Sequence, residues 1–240
     1  MPISPIFDGN LEPMLPTDPD IPTPSDLSLV RLQQFSDGIF VLAAALMVLQ
    51  FDIPNPRVQI GDAEVGQFLL EQLPTLSVYL GTFLLLALYW IQRLEQFKYC
   101  QRTDTTHLWL NILTLMFVVL VPYGNILAIR YETTPVVQIL YSSIFLLIGI
   151  FSSLSWLYAS QDNNLVVPNS GLYGLIAIES TIEPIICALA MGVALIAPVL
   201  WSLTFLLILP CYLLLSWQKQ KVVATTTSPT EDAASEEGNA

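Results

Sequence analysis

Five stretches of this chain are too long and too apolar to be comfortable outside a membrane: Leu73–Ile91, Leu108–Ile129, Pro135–Ser160, Leu172–Ala197 and Pro198–Trp217. About 20 mostly apolar residues cross roughly 30 Å of hydrocarbon as a helix, which satisfies every backbone group within its own segment. A sixth candidate near the amino end is weaker. Its unbroken apolar run, Gly38–Leu49, holds 12 residues, only about 18 Å at 1.5 Å per residue. Extended back to Leu27 it reaches about 36 Å, with Ser25 or Asp26 placed to cap it after Pro24. The expected fold is an all-α membrane protein with six transmembrane helices per chain. Pro74, Pro135 and Pro198 stand at expected helix starts, where a missing N–H costs least, whereas Pro184 and Pro210 lie inside and are expected to kink their helices.

Composition agrees. The chain is 54% hydrophobic and 12% charged, against about 25% charged in a soluble domain. Its net charge of −12 comes largely from the first 26 residues, the loop Asp52–Glu71 and the stretch Glu231–Glu237. That distribution excludes nucleic acid as a partner, which needs clustered Lys and Arg. Residues 1–26 hold seven prolines and no Lys or Arg, so they lack a signal peptide's basic start and apolar core and are expected to form a disordered leader. The membrane domain is expected over 27–218, followed by a disordered acidic tail over 219–240. Three cysteines, Cys100, Cys187 and Cys211, have no metal-ligand spacing, and the last two lie in apolar runs as small hydrophobes.

With six spans, the two termini and the loops after the second and fourth spans share one side. That side carries Arg31, Arg93, Lys98, Arg102, Lys219 and Lys221; the other carries Arg57 and Arg130. The excess of positive charge places both termini in the cytoplasm. Trp90, Trp109, Trp201 and Trp217 fall near span ends, as interfacial anchors do.

The first span, "RLQQFSDGIFVLAAALMVLQ", opens with groups a bilayer resists. An Asp or Arg costs roughly 2.5–3.5 kcal/mol at a helix centre. Spacings of four and three put Arg31, Phe35, Gly38, Leu42, Ala45 and Leu49 on one stripe, with Leu46 beside it. Asp37 lies about 140° round the helix from Leu42, and Ser36 about 120° the other way. The polar pair therefore points toward neighbouring helices, where Gln92, Arg93, His107 and Asn111 share its level. Asp37 reads either as part of a packing network or as an ion or proton site. The stripe reads either as helix–helix packing or as a pore lining.

Glu179 and Glu183, four apart in the fifth span, share a face. They read as a partly solvated pair near the inner helix end or as an acidic ring at an inner pore mouth. His107, the single histidine, opens the third span and suits a capping or interfacial role. There is no nucleophile–base constellation, His-x-x-x-His pair or phosphate loop, which argues against an enzyme and a cofactor. A proton-coupled or other secondary transporter using Asp37, Glu179 and Glu183 stays open as the rival reading, although no internal repeat is visible.

"RLQQFSDGIFVLAAALMVL" resembles the Arg-x-x-x-Phe-Ser-Asp first helix of the transmembrane protein 175 family of potassium channels. "LPTLSVYLGTFLLLALYWIQ" is similar to the family's second helix through Tyr79, Phe83 and Trp90, and "LWLNILTLMFVVLVPYG" to its third through Trp109, Asn111 and Pro122. The resemblance covers roughly residues 29–217. It implies a potassium-permeable channel in the cell membrane, a homo-oligomer whose first helices surround the path of monovalent cations, with no cofactor. One six-helix repeat implies a homotetramer. It also implies an apolar constriction at Leu42 and Leu49, with Leu46 as a further layer, and a structural network of Arg31, Phe35, Ser36, Asp37, Trp109 and Asn111. Family members often carry a hydroxyl where this chain has Ala45, so modest discrimination against sodium is expected. "IQRLEQ" stands where many relatives have histidines.

Overall fold

A computed structural model describes residues 24–53, 61–161, 165–166 and 170–227. The described residues form eight α-helices in sequence order: α1 Pro24–Leu46, α2 Asp62–Glu71, α3 Leu73–Tyr99, α4 Thr105–Arg130, α5 Pro135–Ser160, α6 Ser170–Ile196, α7 Trp201–Thr204 and α8 Ile208–Thr227. Among the described residues six segments are long and apolar enough to cross a membrane. Among the described residues the extended structure is one isolated bridge, Cys100 to Val166. The leader up to residue 23 and the tail beyond 227 lie outside the described residues.

Helix ends follow local chemistry. α1 begins at Pro24, so Ser25 and Asp26 fall in its first turn instead of capping it. It tightens into a 3-10 turn at Met47–Gln50. α4 is capped by Asp104, whose Oδ1 accepts the His107 backbone N–H at 2.8 Å. α5 occupies Pro135–Ser160, the bounds its apolar run predicts. The stretch expected as loop over Asp52–Glu71 contains α2, whose start is fixed by Gly61 N–H donating to Glu64 Oε2 at 3.0 Å.

The sixth span is broken. A 3-10 turn at Pro198–Leu200, the short α7 and a second 3-10 turn at Phe205–Leu207 precede α8. Pro210, the third residue of α8, has no N–H for the carbonyl of Leu206 and its ring crowds that group, so α-geometry restarts only at Ile208. α8 then runs to Thr227, past the expected boundary at residue 218, because the intervening Gln, Lys, Val and Ala residues include no Gly or Pro.

α4, α5 and α6 form the centre of the bundle; half of the α5 span is buried, against 17% of the broken sixth span. Phe145, Ile148, Val118, Val121, Cys187 and Ala190 make the middle of the core. Trp201, expected at the membrane interface, is instead buried there, its Nε1 donating to Ser142 Oγ at 2.9 Å. α5 and α6 are in close contact where Gly149 faces Pro184: a Cβ at Gly149 would stand 2.7 Å from the proline Cδ. Pro184 leaves the carbonyl of Ser180 without its helical donor, and Ser153 Oγ from α5 donates to that oxygen. Because the proline ring cannot rotate away, Gly149→Ala is expected to cost about 1–3 kcal/mol, read as a lowered unfolding temperature in detergent.

Leu29 and Leu32 of α1 pack on Phe97 and Cys100, and Cys100 bridges to Val166, so the start of α1 and the loops after α3 and α5 share one end of the bundle. Cys100 is mostly covered, and burial pushes its thiol up to about 12, which keeps it protonated.

Candidate functional site

α1 has two unlike faces. Leu29, Leu32, Ser36, Phe40, Ala43 and Met47 are buried against the rest of the protomer. Arg31, Phe35, Gly38, Leu42, Ala45, Leu46 and Leu49 are all exposed. Leu42 is 49% exposed and Leu49 79%. A Cβ added at Gly38 would meet nothing within 4 Å. The apolar stripe thus turns away from its own bundle along its whole length.

Polar contacts at the middle of α1 and in the 3-10 turn that ends it fix this rotation. Midway along the helix, Trp90 Nε1 on α3 donates to Asp37 Oδ1 at 2.9 Å. At the far end, Gln50 Nε2 donates to the carbonyl of Pro122 at 3.2 Å, and Asn125 Nδ2 donates to Gln50 Oε1. Asn125 Oδ1 accepts from Thr82 Oγ1 at 2.6 Å, and Thr82 pairs with Tyr141 OH at 2.8 Å. Turning α1 by one residue would break both sets.

A third cluster sits behind Asp37. Arg93 Nη2 donates to Asn111 Oδ1 at 2.6 Å, and Asn111 Nδ2 donates to the carbonyl of His107 at 2.6 Å and to Ser155 Oγ at 3.0 Å. The guanidinium lies 5.0 Å from the centre of the Phe97 ring. His107 is buried, with Nδ1 paired to Thr103 Oγ1 at 2.9 Å, and Asp104 Oδ2 accepts from Tyr158 OH at 2.6 Å.

These placements revise the expected network. Asn111 is its centre, and Asp37 is held separately, by Trp90 of α3, whose position in the sequence suits an interfacial anchor. Trp109 is 59% exposed and Phe35 and Arg31 are exposed, so none of the three packs into it. Ser36 is buried, but its Oγ has no hydrogen-bond partner. Glu179 and Glu183 form neither a solvated pair nor a ring at a mouth. They are 2% and 0% exposed, on the face of α6 that α3 and α8 cover. Spacing shows that two residues share a face; it does not show which face the neighbours cover. Gln50 and Asn125 escaped the sequence reading, though a lone amide closing an apolar run and another inside one are visible signals.

The family described as "Endosomal/lysosomal potassium channel TMEM175" matches residues 31–122. A potassium channel of Chamaesiphon minutus is 27% identical over 161 residues, 66% of this chain and 79% of that protein. A potassium channel of Streptomyces collinus is 26% identical over 58% of this chain and 68% of that one. The endosomal/lysosomal proton channel TMEM175 of Gallus gallus is 33% identical, over 38% of this chain and 19% of that protein. The crystal structure of a lysosomal potassium-selective channel TMEM175 homolog from Chamaesiphon minutus superposes with a TM-score of 0.67 at 25% identity, over 79% of this chain and 98% of that one. The matched segment opens at Arg31 and takes in both partners of the Asp37–Trp90 clasp, and the fold reproduces almost the whole of a solved homolog: over residues 31–122 the chain is similar to the TMEM175 family, and it is a multi-pass membrane protein.

Proposed function

We propose that this chain is a potassium-permeable cation channel, not an enzyme, whose path is surrounded by the α1 helices of several protomers, four by resemblance. The observation that carries the reading is the outward apolar edge of α1. Leu42 and Leu49 sit on a helix held at its middle and its far end yet leave their side chains uncovered by their own protomer. In a homo-oligomer that edge meets itself on the symmetry axis. A ring of leucines that sheds water acts as gate and filter together, with Ala45 and Leu46 between the two layers. Ala45 offers no hydroxyl to a partly dehydrated ion, so selectivity over sodium is modest. Potassium is the permeant ion and no cofactor is needed. The membrane domain spans 27–218, in the cell membrane, with the Arg- and Lys-rich end and both termini cytoplasmic. Relatives named as potassium channels support this reading.

The test is reconstitution into planar bilayers with a potassium gradient and no pH gradient. Resolvable unitary currents that reverse near the potassium equilibrium potential are expected, with a tetramer mass for the solubilised complex. Slow flux that requires proton movement would instead select the transporter reading.

A further inference from the structure

Glu183 sits in the middle of α6, wholly enclosed by the protomer and off the outward edge of α1. Its Oε2 accepts from Gln92 Nε2 on α3 at 3.2 Å. Two atoms of the same pair, Glu183 Oε1 and Gln92 Oε1, are buried with no hydrogen-bond partner. If the carboxyl is ionised both are acceptors, and neither can satisfy the other. A single proton on Glu183 Oε1 resolves both: the acid hydroxyl donates to the amide oxygen, while the amide N–H already donates to the acid's second oxygen. The result is a two-bond ring between carboxylic acid and amide that engages all three oxygens and one amide N–H of the two head groups.

The surroundings favour the neutral acid. The groups facing Glu183 are Tyr89 and Gln92 on α3, Glu179 and Cys187 on α6, and Tyr212 on α8. Glu95 of α3 acts on the same Tyr212, and α5 brings the hydroxyls Ser152 and Ser153 nearby. None of these is a cation, and Arg93 is turned to Asn111 on α4. An ionised Glu183 would be a buried charge beside a second carboxyl on the same helix face, the arrangement that proteins avoid unless a counter-charge is present.

We propose that Glu183 and Gln92 form a proton-binding site inside each protomer, occupied at neutral pH, in which a carboxylic acid and an amide pair through two hydrogen bonds and lock α6 to α3. Gln92 is two residues beyond Trp90, the donor that holds Asp37 of α1. Loss of the proton breaks one bond of the ring and places a charge in the α3–α6 contact, so α3 loosens and with it the clasp on α1. This last consequence rests on the channel reading; the site itself does not.

The full-length chain in lipid vesicles is followed by infrared absorption of the protonated carboxyl while the pH is raised from neutral. A band present at neutral pH, lost on alkalinisation, missing in Glu183→Gln and kept in Glu179→Gln is expected. A neutral-pH spectrum of the unaltered chain without that band overturns the proposal, and that reading needs no variant to fold. A band that survives in folded Glu183→Gln overturns it too. Potassium flux in the same vesicles is expected to change as the band is lost, and to be indifferent to pH in Glu183→Gln, whose amide stays neutral. Flux that follows pH alike in both overturns the coupling to α1. The expected band with no potassium flux at all upholds the proton site and overturns the channel reading.

Discussion

Leu42→Ser is expected to raise potassium leak by about tenfold or more and to narrow the difference between potassium and sodium permeation in reconstituted vesicles. The physical reason is the barrier to wetting. Exposing or removing one leucine's apolar surface is worth roughly 1.5–3 kcal/mol, and in a homo-oligomer the change recurs in every protomer around the axis. A barrier lowered by about 1.4 kcal/mol already passes ions ten times faster. Leu42 leaves half of its surface outside the protomer, so the substitution opens no internal cavity and the fold should survive it. Met47, on the opposite face of the same helix, makes the control. It has no exposed surface, and Met47→Ala is expected to cost about 2–5 kcal/mol of stability without loosening ion discrimination in whatever protein folds. If leak and selectivity respond to Met47 and not to Leu42, the edge facing the ion path has been misassigned.

That contrast also marks how far sequence alone reaches. Lengths and apolar runs gave six spans, and α5 ends where its prolyl start and the polar Gln161 require. Pro210 predicts a kink in the sixth span, and the structure has a full break there, with a 3-10 turn at Phe205–Leu207 where the ring crowds the Leu206 carbonyl. α2 was hidden in an acidic loop, where its first-turn Asp62 and Glu64 look like solvation but act as helix-start chemistry. The stripe on α1 was legible from periodicity, since one helix determines its own faces. What covers a face is decided by other helices, which is why Glu179 and Glu183 looked solvated and Trp201 looked interfacial. Polar partners across helices, such as Gln50 with Asn125 at a sequence separation of 75, depend on tertiary packing that no local window contains.

Asn111→Leu is expected to destabilise the protomer by about 3–5 kcal/mol, the scale for stripping the partner from a buried charge, and so to remove most folded protein from detergent extracts. The leucine fills similar space, and the loss is one of polarity. Arg93 Nη2 loses the acceptor at 2.6 Å, the His107 carbonyl loses its donor, and Ser155 Oγ loses a partner, all in a region closed to water. The Arg93 Nε already lacks a hydrogen-bond partner, so the guanidinium is left with the Phe97 ring and the charge of Asp37 to offset its burial. Asn111→Asp separates charge from shape. It restores an acceptor for Arg93, and its second oxygen can accept from Ser155, but that oxygen now repels the His107 carbonyl where the amide donated. An intermediate yield of folded protein is therefore expected, above Asn111→Leu and below the unaltered chain, by fluorescence-detected size exclusion. Arg93→Met in the Asn111→Leu background removes the stranded charge and is expected to recover part of the loss. Additive damage in that double variant would mean that the cost lies in packing around α3 and α4, and that the buried cation is not what holds this end of the bundle together.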